Sequence, residues 1–126
     1  MSLELSNRDI LRGTIVEPAW YRMRIEDYTE KLSKDQQSTN HIIEAVIIRN
    51  ADTGDEKFSG VPVSWNFNSK APGFVVGFLK SLGVEVTPGR VDLNAAKGME
   101  IEVMVENDEY EGRLVNRVNH NYRPAA

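Results

Sequence analysis

Residues 71–83, Ala-Pro-Gly-Phe-Val-Val-Gly-Phe-Leu-Lys-Ser-Leu-Gly, form the one strong helix pattern in the chain. Phe74, Phe78 and Leu82 recur every four residues, which places them on one apolar face of a helix. Gly83 is well placed to end that helix, because glycine adopts the left-handed conformation that is common just after a helix. The pattern therefore predicts a single helix whose apolar face lies in the core.

The segments on both sides of this helix show the alternation of apolar and polar residues that is typical of strands. Residues 29–40 are polar and are predicted to form a long loop. The predicted strands cover residues 20–26, 41–49, 58–68, 99–106 and 110–122, and the last two form a hairpin with its turn at 107–109.

Three strands, one helix and two strands is the order of elements in an OB-fold, a small Greek-key barrel. The helix would close one end of the barrel with its apolar face. The predicted fold is therefore mainly β, a five-stranded OB-fold barrel with one helix between strands 3 and 4, and an open α+β sandwich is the alternative. The 126 residues are expected to form a single domain, with residues 1–16 as an N-terminal lead-in.

Composition narrows the classes of function. The formal net charge of -4 and the pI near 5.2 disfavour tight binding of duplex DNA, in which neutralisation of phosphates dominates the affinity. The chain has no cysteine, which excludes disulfides and thiolate metal sites and favours the cytoplasm. No apolar run reaches membrane length and no signal peptide is recognised, so contact with a membrane is not expected.

Three stretches of the chain carry a family pattern. Residues 17–25 are Glu-Pro-Ala-Trp-Tyr-Arg-Met-Arg-Ile, residues 93–98 are Leu-Asn-Ala-Ala-Lys-Gly, and residues 110–118 are Tyr-Glu-Gly-Arg-Leu-Val-Asn-Arg-Val. Together they resemble the tailed-phage family of OB-fold single-stranded-DNA-binding proteins, over roughly residues 17–124. The resemblance implies a sequence-tolerant protein that coats single-stranded DNA in phage replication or recombination, with phage or host replication proteins as candidate partners. Such proteins often end in an acidic tail, whereas this chain ends Arg-Pro-Ala-Ala, which puts recruitment of partners through a tail in doubt.

Binding of single strands needs aromatic rings that stack on bases and cations that follow the phosphates. Trp20, Arg22 and Arg24 share one face of the first predicted strand, and an ordinary solvated face is the alternative. Lys31 and Lys34 lie in the predicted loop, where they would close over the nucleic acid or simply keep the loop hydrated.

A second basic stripe is predicted on the last strand, where Arg113 and Arg117 share one face and Tyr122 and Arg123 extend it, and an exposed face without function is again the alternative. Trp65 has the parity of the neighbouring apolar residues, so core packing competes with base stacking at this position. The complete set of predicted nucleic-acid contacts is Trp20, Arg22, Arg24, Lys31, Lys34, Arg49, Trp65, Lys70, Arg113, Arg117, Tyr122 and Arg123.

The fourth predicted strand is acidic, since residues 100–111 contain six carboxylates and neither lysine nor arginine. This pattern predicts a molecule with a basic side near the first strand and an acidic side at the fourth. The alternative function is an OB-fold protein-interaction or virion structural module that binds no nucleic acid and docks a partner on its acidic face or open sheet edge.

Catalysis is not expected. His41 and His120 are the only histidines, and neither has the spacing of a metal ligand. The chain also has no glycine-rich phosphate loop. We therefore predict no catalytic residue, no metal and no cofactor.

Overall fold

The computed structural model describes residues 2–89 and 91–125 and is mainly β. The elements are α1 (Asn7–Leu11), β1 (Ala19–Leu32), β2 (Thr39–Asn50), β3 (Pro62–Asn68), α2 (Gly73–Ser81), a 3₁₀ turn (Leu93–Ala96), β4 (Glu100–Tyr110) and β5 (Arg113–Pro124). The strands form one antiparallel sheet in the order β3-β2-β1-β4-β5, so β1 lies in the middle and β3 and β5 are the edges. No helix in the described residues has the length and apolar character needed to span a membrane.

Helix α2 confirms the predicted helix between the third and fourth strands, although it is two residues shorter at each end than the segment 71–83. Gly83 follows it with φ +78°, the left-handed conformation that the sequence predicts. Phe78 and Leu79 are buried, whereas Phe74 is 51 % exposed. The prediction that Phe74 faces the core is therefore wrong, because the first turn of α2 carries this ring onto His120 of β5 at the surface.

Strand β1 is longer than predicted, and the predicted loop at 29–40 is wrong. β1 continues to Leu32 and β2 begins at Thr39, so the connection covers only residues 33–38. The end of this hairpin is exposed on both faces, and a strand with no buried face needs no apolar alternation. Two β-bulges bend β1, between Arg22 and Met23 and between Ile25 and Asp27, and such bends help a sheet to coil.

The predicted hairpin of the last two strands is confirmed, but its turn lies at Glu111 and Gly112 rather than at 107–109. These two residues have φ +50° and +78°. A two-residue turn with two positive φ angles matches the right-handed twist of the flanking strands. β4 therefore extends beyond the last apolar position, through the acidic residues, to Tyr110.

The two sheet edges approach each other. The Cα atoms of β3 and β5 come within 8 Å of one another, and Trp65 and Tyr122 bring their ring centroids to 6.2 Å across the gap. No hydrogen-bonded ladder joins β3 to β5 within residues 2–89 and 91–125. The sheet is therefore open, and side chains rather than backbone hydrogen bonds connect its edges.

Part of the predicted lead-in is built into the core. Val16 is 1 % exposed and packs with the buried residues of the sheet. The Asn116 amide accepts a hydrogen bond from the Val16 N–H at 3.0 Å and donates one to the Thr14 carbonyl at 2.8 Å. A second amide, that of Asn107, donates to the Val16 carbonyl. Residues 14–16 are thus fixed to the β4–β5 hairpin.

Candidate nucleic-acid interface

Trp20, Arg22, Arg24 and Arg123 form a cluster that we call the arginine–tryptophan patch. The first three alternate with the buried side chains of β1 and therefore share its outer face, as predicted. Trp20 is half-buried, and the Arg123 guanidinium lies 4.4 Å from the centre of its ring. This geometry is a cation–π contact, and it occupies one face of the only aromatic ring in the patch.

Carboxylates neutralise the patch. β4 pairs directly with β1, with Glu102 opposite Arg22 and Glu100 opposite Arg24, so the acidic strand lies beside the basic one. The predicted division into a basic side and an acidic side is therefore wrong. The ion pairs of the patch are Arg22–Glu100, Arg24–Glu26, Arg123–Glu102 and Arg123–Asp52.

A groove of about 390 Å³, here called the lysine groove, lies at the end of the β1–β2 hairpin. Lys31 and Lys34 are both exposed and make no ion pair with any residue that the structure describes. Their ammonium groups are therefore available to phosphates. The groove is lined by Lys31, Leu32, Lys34, Asn40, Ile42, Ser64, Trp65 and Asn66.

A second groove, of about 290 Å³, lies over the gap between β3 and β5 and is called the seam groove. It shares Ser64, Trp65 and Asn66 with the lysine groove, so the two grooves lie side by side. Together they run from the β1–β2 hairpin across β2 and β3 to β5. The β5 side of the seam groove is lined by Asn116, Arg117, Val118, Asn119 and His120.

Trp65 forms part of both grooves but is only 6 % exposed. Its ring packs edge-on against Phe78 of α2, with 6.2 Å between centroids. Of the two interpretations from sequence, core packing is the one found.

The remaining predicted contacts are scattered. Lys70 lies at the end of β3, with its Nζ 3.8 Å from a carboxylate oxygen of Asp35, and so stands close to the lysine groove. Arg117 lines the seam groove but is paired with Asp108, whose pKa this guanidinium lowers. Arg49 pairs with Arg22 in the β1–β2 register, and Arg113 is exposed at the turn before β5.

Tyr122 does not extend the arginine stripe of β5, and that prediction is wrong. It points inward, in phase with buried Val118, and its ring lies 5.4 Å from that of Phe78. Burial raises the pKa of the Tyr122 phenol. The reason is simple alternation, since Arg113 and Arg117 occupy odd positions of the strand and Tyr122 an even one.

Sequence reasoning missed the amides of the two grooves and one of their rings, that of His120. Asn40, Asn66, Asn116 and Asn119 line the two grooves, and the alternating Ser-Trp-Asn-Phe-Asn of residues 64–68 is a signal that could have identified Asn66. His120 could not have been identified, because its role depends on which strand lies opposite β5.

A separate apolar pocket of about 600 Å³ lies between α2 and the segment that follows it. Its walls include Val75, Leu79 and Val86, and His41 stands at its rim. The Tyr28 hydroxyl bonds both His41 Nδ1 and a Glu30 carboxylate oxygen, each at 2.6 Å. Burial and the Glu30 hydrogen bond raise the pKa of Tyr28.

Within the described residues no three histidine or carboxylate side chains converge in a way that could hold a metal ion.

No family model matches the chain, and no curated protein matches it. The functional inference below therefore depends on the geometry of the chain and on its sequence pattern.

Proposed function

We propose that the protein binds single-stranded DNA without strong sequence preference, along the adjacent lysine and seam grooves, which together we call the track. Coating of single strands in phage replication or recombination is the role that the family resemblance implies. An OB-fold barrel is the fold that we expect for this role. The strand order, the helix between β3 and β4, and the contact of the two sheet edges through their rings support that fold.

The observation that carries the proposal is the pair of lysines at the start of the track. Lys31 and Lys34 are exposed and free of ion pairs in the described part of the chain, in contrast to the arginines of the arginine–tryptophan patch. A cation that already bonds a carboxylate gains less from a phosphate, because the first bond must be given up. The lysine groove is therefore preferred over the patch as the place where phosphates bind.

The other residues of the track are suited to contacts with bases and sugars. Leu32, which is 60 % exposed, and Ile42 both line the groove, so bases can contact aliphatic residues there. The asparagine amides farther along offer both donors and acceptors to sugars and base edges. Contacts to phosphates and aliphatic surfaces carry little sequence information, which is consistent with a sequence-tolerant protein.

Titration of a fluorescent oligo-dT at two salt concentrations tests the proposal. We expect binding at low salt that weakens steeply as salt is added, because bound phosphates release counterions. Quenching of tryptophan fluorescence is also expected, since Trp65 forms part of both grooves. If neither mobility nor fluorescence changes at low salt, the proposal is wrong.

A protein-interaction module is the second candidate, and the apolar pocket beside α2 is the observation that favours it. Its volume of about 600 Å³ and its valine and leucine walls are suited to an apolar anchor from a partner. The acidic strand is a weaker candidate surface than the sequence indicates, because Glu100 and Glu102 already bond arginines. This function predicts no binding of oligonucleotides and co-purification with a protein that is lost on Val75→Glu substitution.

A further inference from the structure

Three aromatic rings lie in a column that runs from the core to the surface. Phe67 of β3 is 1 % exposed and forms the inner end. His120 of β5 lies next, with 5.1 Å between the two ring centroids. Phe74 of α2 lies on His120 at 4.4 Å with an angle of 16° between the ring planes, which is a parallel stack. The outer end of this ring column is 51 % exposed.

Local structure fixes the middle ring. His120 has φ +58°, a conformation that residues other than glycine adopt uncommonly. Its Nδ1 lies 2.8 Å from the Tyr122 hydroxyl, which orients the imidazole. Burial lowers the pKa of His120, so the ring is neutral near pH 7 and stacks without the cost of a desolvated charge. His120 therefore packs against one face of the Phe74 ring in a defined orientation.

Phe74 makes no contribution to the core that would explain a large ring at this position. Helix α2 buries Phe78 and Leu79 instead. His120 stacks on one face of the Phe74 ring and the residue as a whole is 51 % exposed, so the opposite face of the ring is the surface on which a further ring could stack. An exposed aromatic face that is backed by two further rings is a rigid stacking surface.

The ring column lies beside the seam groove. His120 lines this groove together with Trp65 and Asn119, so a DNA strand that occupies the groove passes beside the column. We propose that Phe74 receives an unpaired nucleobase of the bound strand as the fourth ring of the column. This inference rests on the proposed function and extends the binding track from the sheet onto α2. A nucleobase fits because each of the four bases has a flat aromatic face, so stacking here preserves sequence tolerance.

The test compares Phe74→Leu with Phe74→Tyr in titrations of oligo-dT. Leucine keeps the side chain apolar but removes the flat face, and we expect its affinity to fall about tenfold. Tyrosine keeps the ring and is expected to bind as the wild type does. Leu114→Ala is a matched control, because this side chain is also a large exposed apolar group but lines neither groove. Circular dichroism would verify that each variant is folded.

The outcomes separate this inference from the proposed function. If the wild type binds and Lys31→Ala weakens binding, but Phe74→Leu binds as tightly as the wild type, the ring column is not a binding surface and the track alone remains. Equal losses in Phe74→Leu and Phe74→Tyr would also overturn the stacking role. No binding by the wild type at low salt would overturn both proposals.

Discussion

The guanidinium of Arg123, near the end of β5, lies 4.4 Å from the centre of the Trp20 ring on β1. β4 lies between these two strands, and its Glu102 bonds the same guanidinium. Hydrogen bonds to Asp52 and Glu102 raise the pKa of Arg123. One side chain thus connects three neighbouring strands on the outer face of the sheet, and this contact explains why the arginine–tryptophan patch is better described as a structural cluster.

Replacing Arg123 by alanine is expected to lower the urea midpoint of unfolding. Glu102 is only 7 % exposed, and without the guanidinium its carboxylate stays shielded from water with one bond fewer. Trp20 emission should move to longer wavelength as water reaches its ring. Arg113→Ala is the matched control, because Arg113 is exposed and forms no ion pair within the described residues. Equal midpoints for the two variants would contradict the prediction.

The lysine groove gives a second prediction. Lys31→Ala/Lys34→Ala is expected to lower the slope of log affinity against log salt by about 1.4, since each phosphate contact on a single strand contributes about 0.7. Lys57→Ala/Lys80→Ala removes the same charge from exposed positions that line neither groove. An equal change of slope in the two double variants would show that net charge, and not the groove, sets the affinity.

A third prediction concerns the attachment of the N-terminal segment. Asn116→Ala removes the partner of the Val16 N–H and of the Thr14 carbonyl, both on a partly buried segment. We expect the free energy of unfolding to fall by about 1–3 kcal/mol, the usual cost of leaving such groups unsatisfied. Asn119→Ala provides the comparison, because Asn119 bonds only exposed side chains. Similar unfolding curves for both variants would mean that the hydrogen bonds of Asn116 to Thr14 and Val16 add little to stability.

Stability should also depend on pH through His120. The folded protein holds the pKa of this histidine below the ordinary 6.5, so the unfolded chain binds the proton more readily. The stabilising effect is therefore present above about pH 6.5 and is lost as the pH falls toward the lower folded pKa. We expect the free energy of unfolding to fall between about pH 7.5 and 5.5 by more in the wild type than in His120→Asn. Asparagine is chosen because it tolerates the left-handed backbone. Parallel pH curves would contradict the prediction.

Local pattern was sufficient to predict several elements. Alternation along β1 predicted the shared face of Trp20, Arg22 and Arg24, and the parity of Trp65 indicated its place in the core. The helix between the third and fourth strands was also visible. Each of these features depends on neighbours within a few residues along the chain.

The missed features depend on contacts between distant parts of the chain. The pairing of β1 with β4 places Glu100 beside Arg22, which are 78 positions apart, and no local pattern shows that their charges cancel. The stack of Phe74 on His120 likewise joins α2 to β5. The extension of β1 to Leu32 was missed because a strand exposed on both faces has the composition of a loop.

The gap between β3 and β5 has a mechanical consequence. Ring contacts bridge these two strands and no hydrogen-bonded ladder does so in the described residues, so parting them would break dispersion contacts while every rung of the existing ladders stayed intact. Such a split is less costly than separating any hydrogen-bonded pair of strands. The sheet would therefore open first between β3 and β5, and a bulky group could enter and leave the seam groove through that opening.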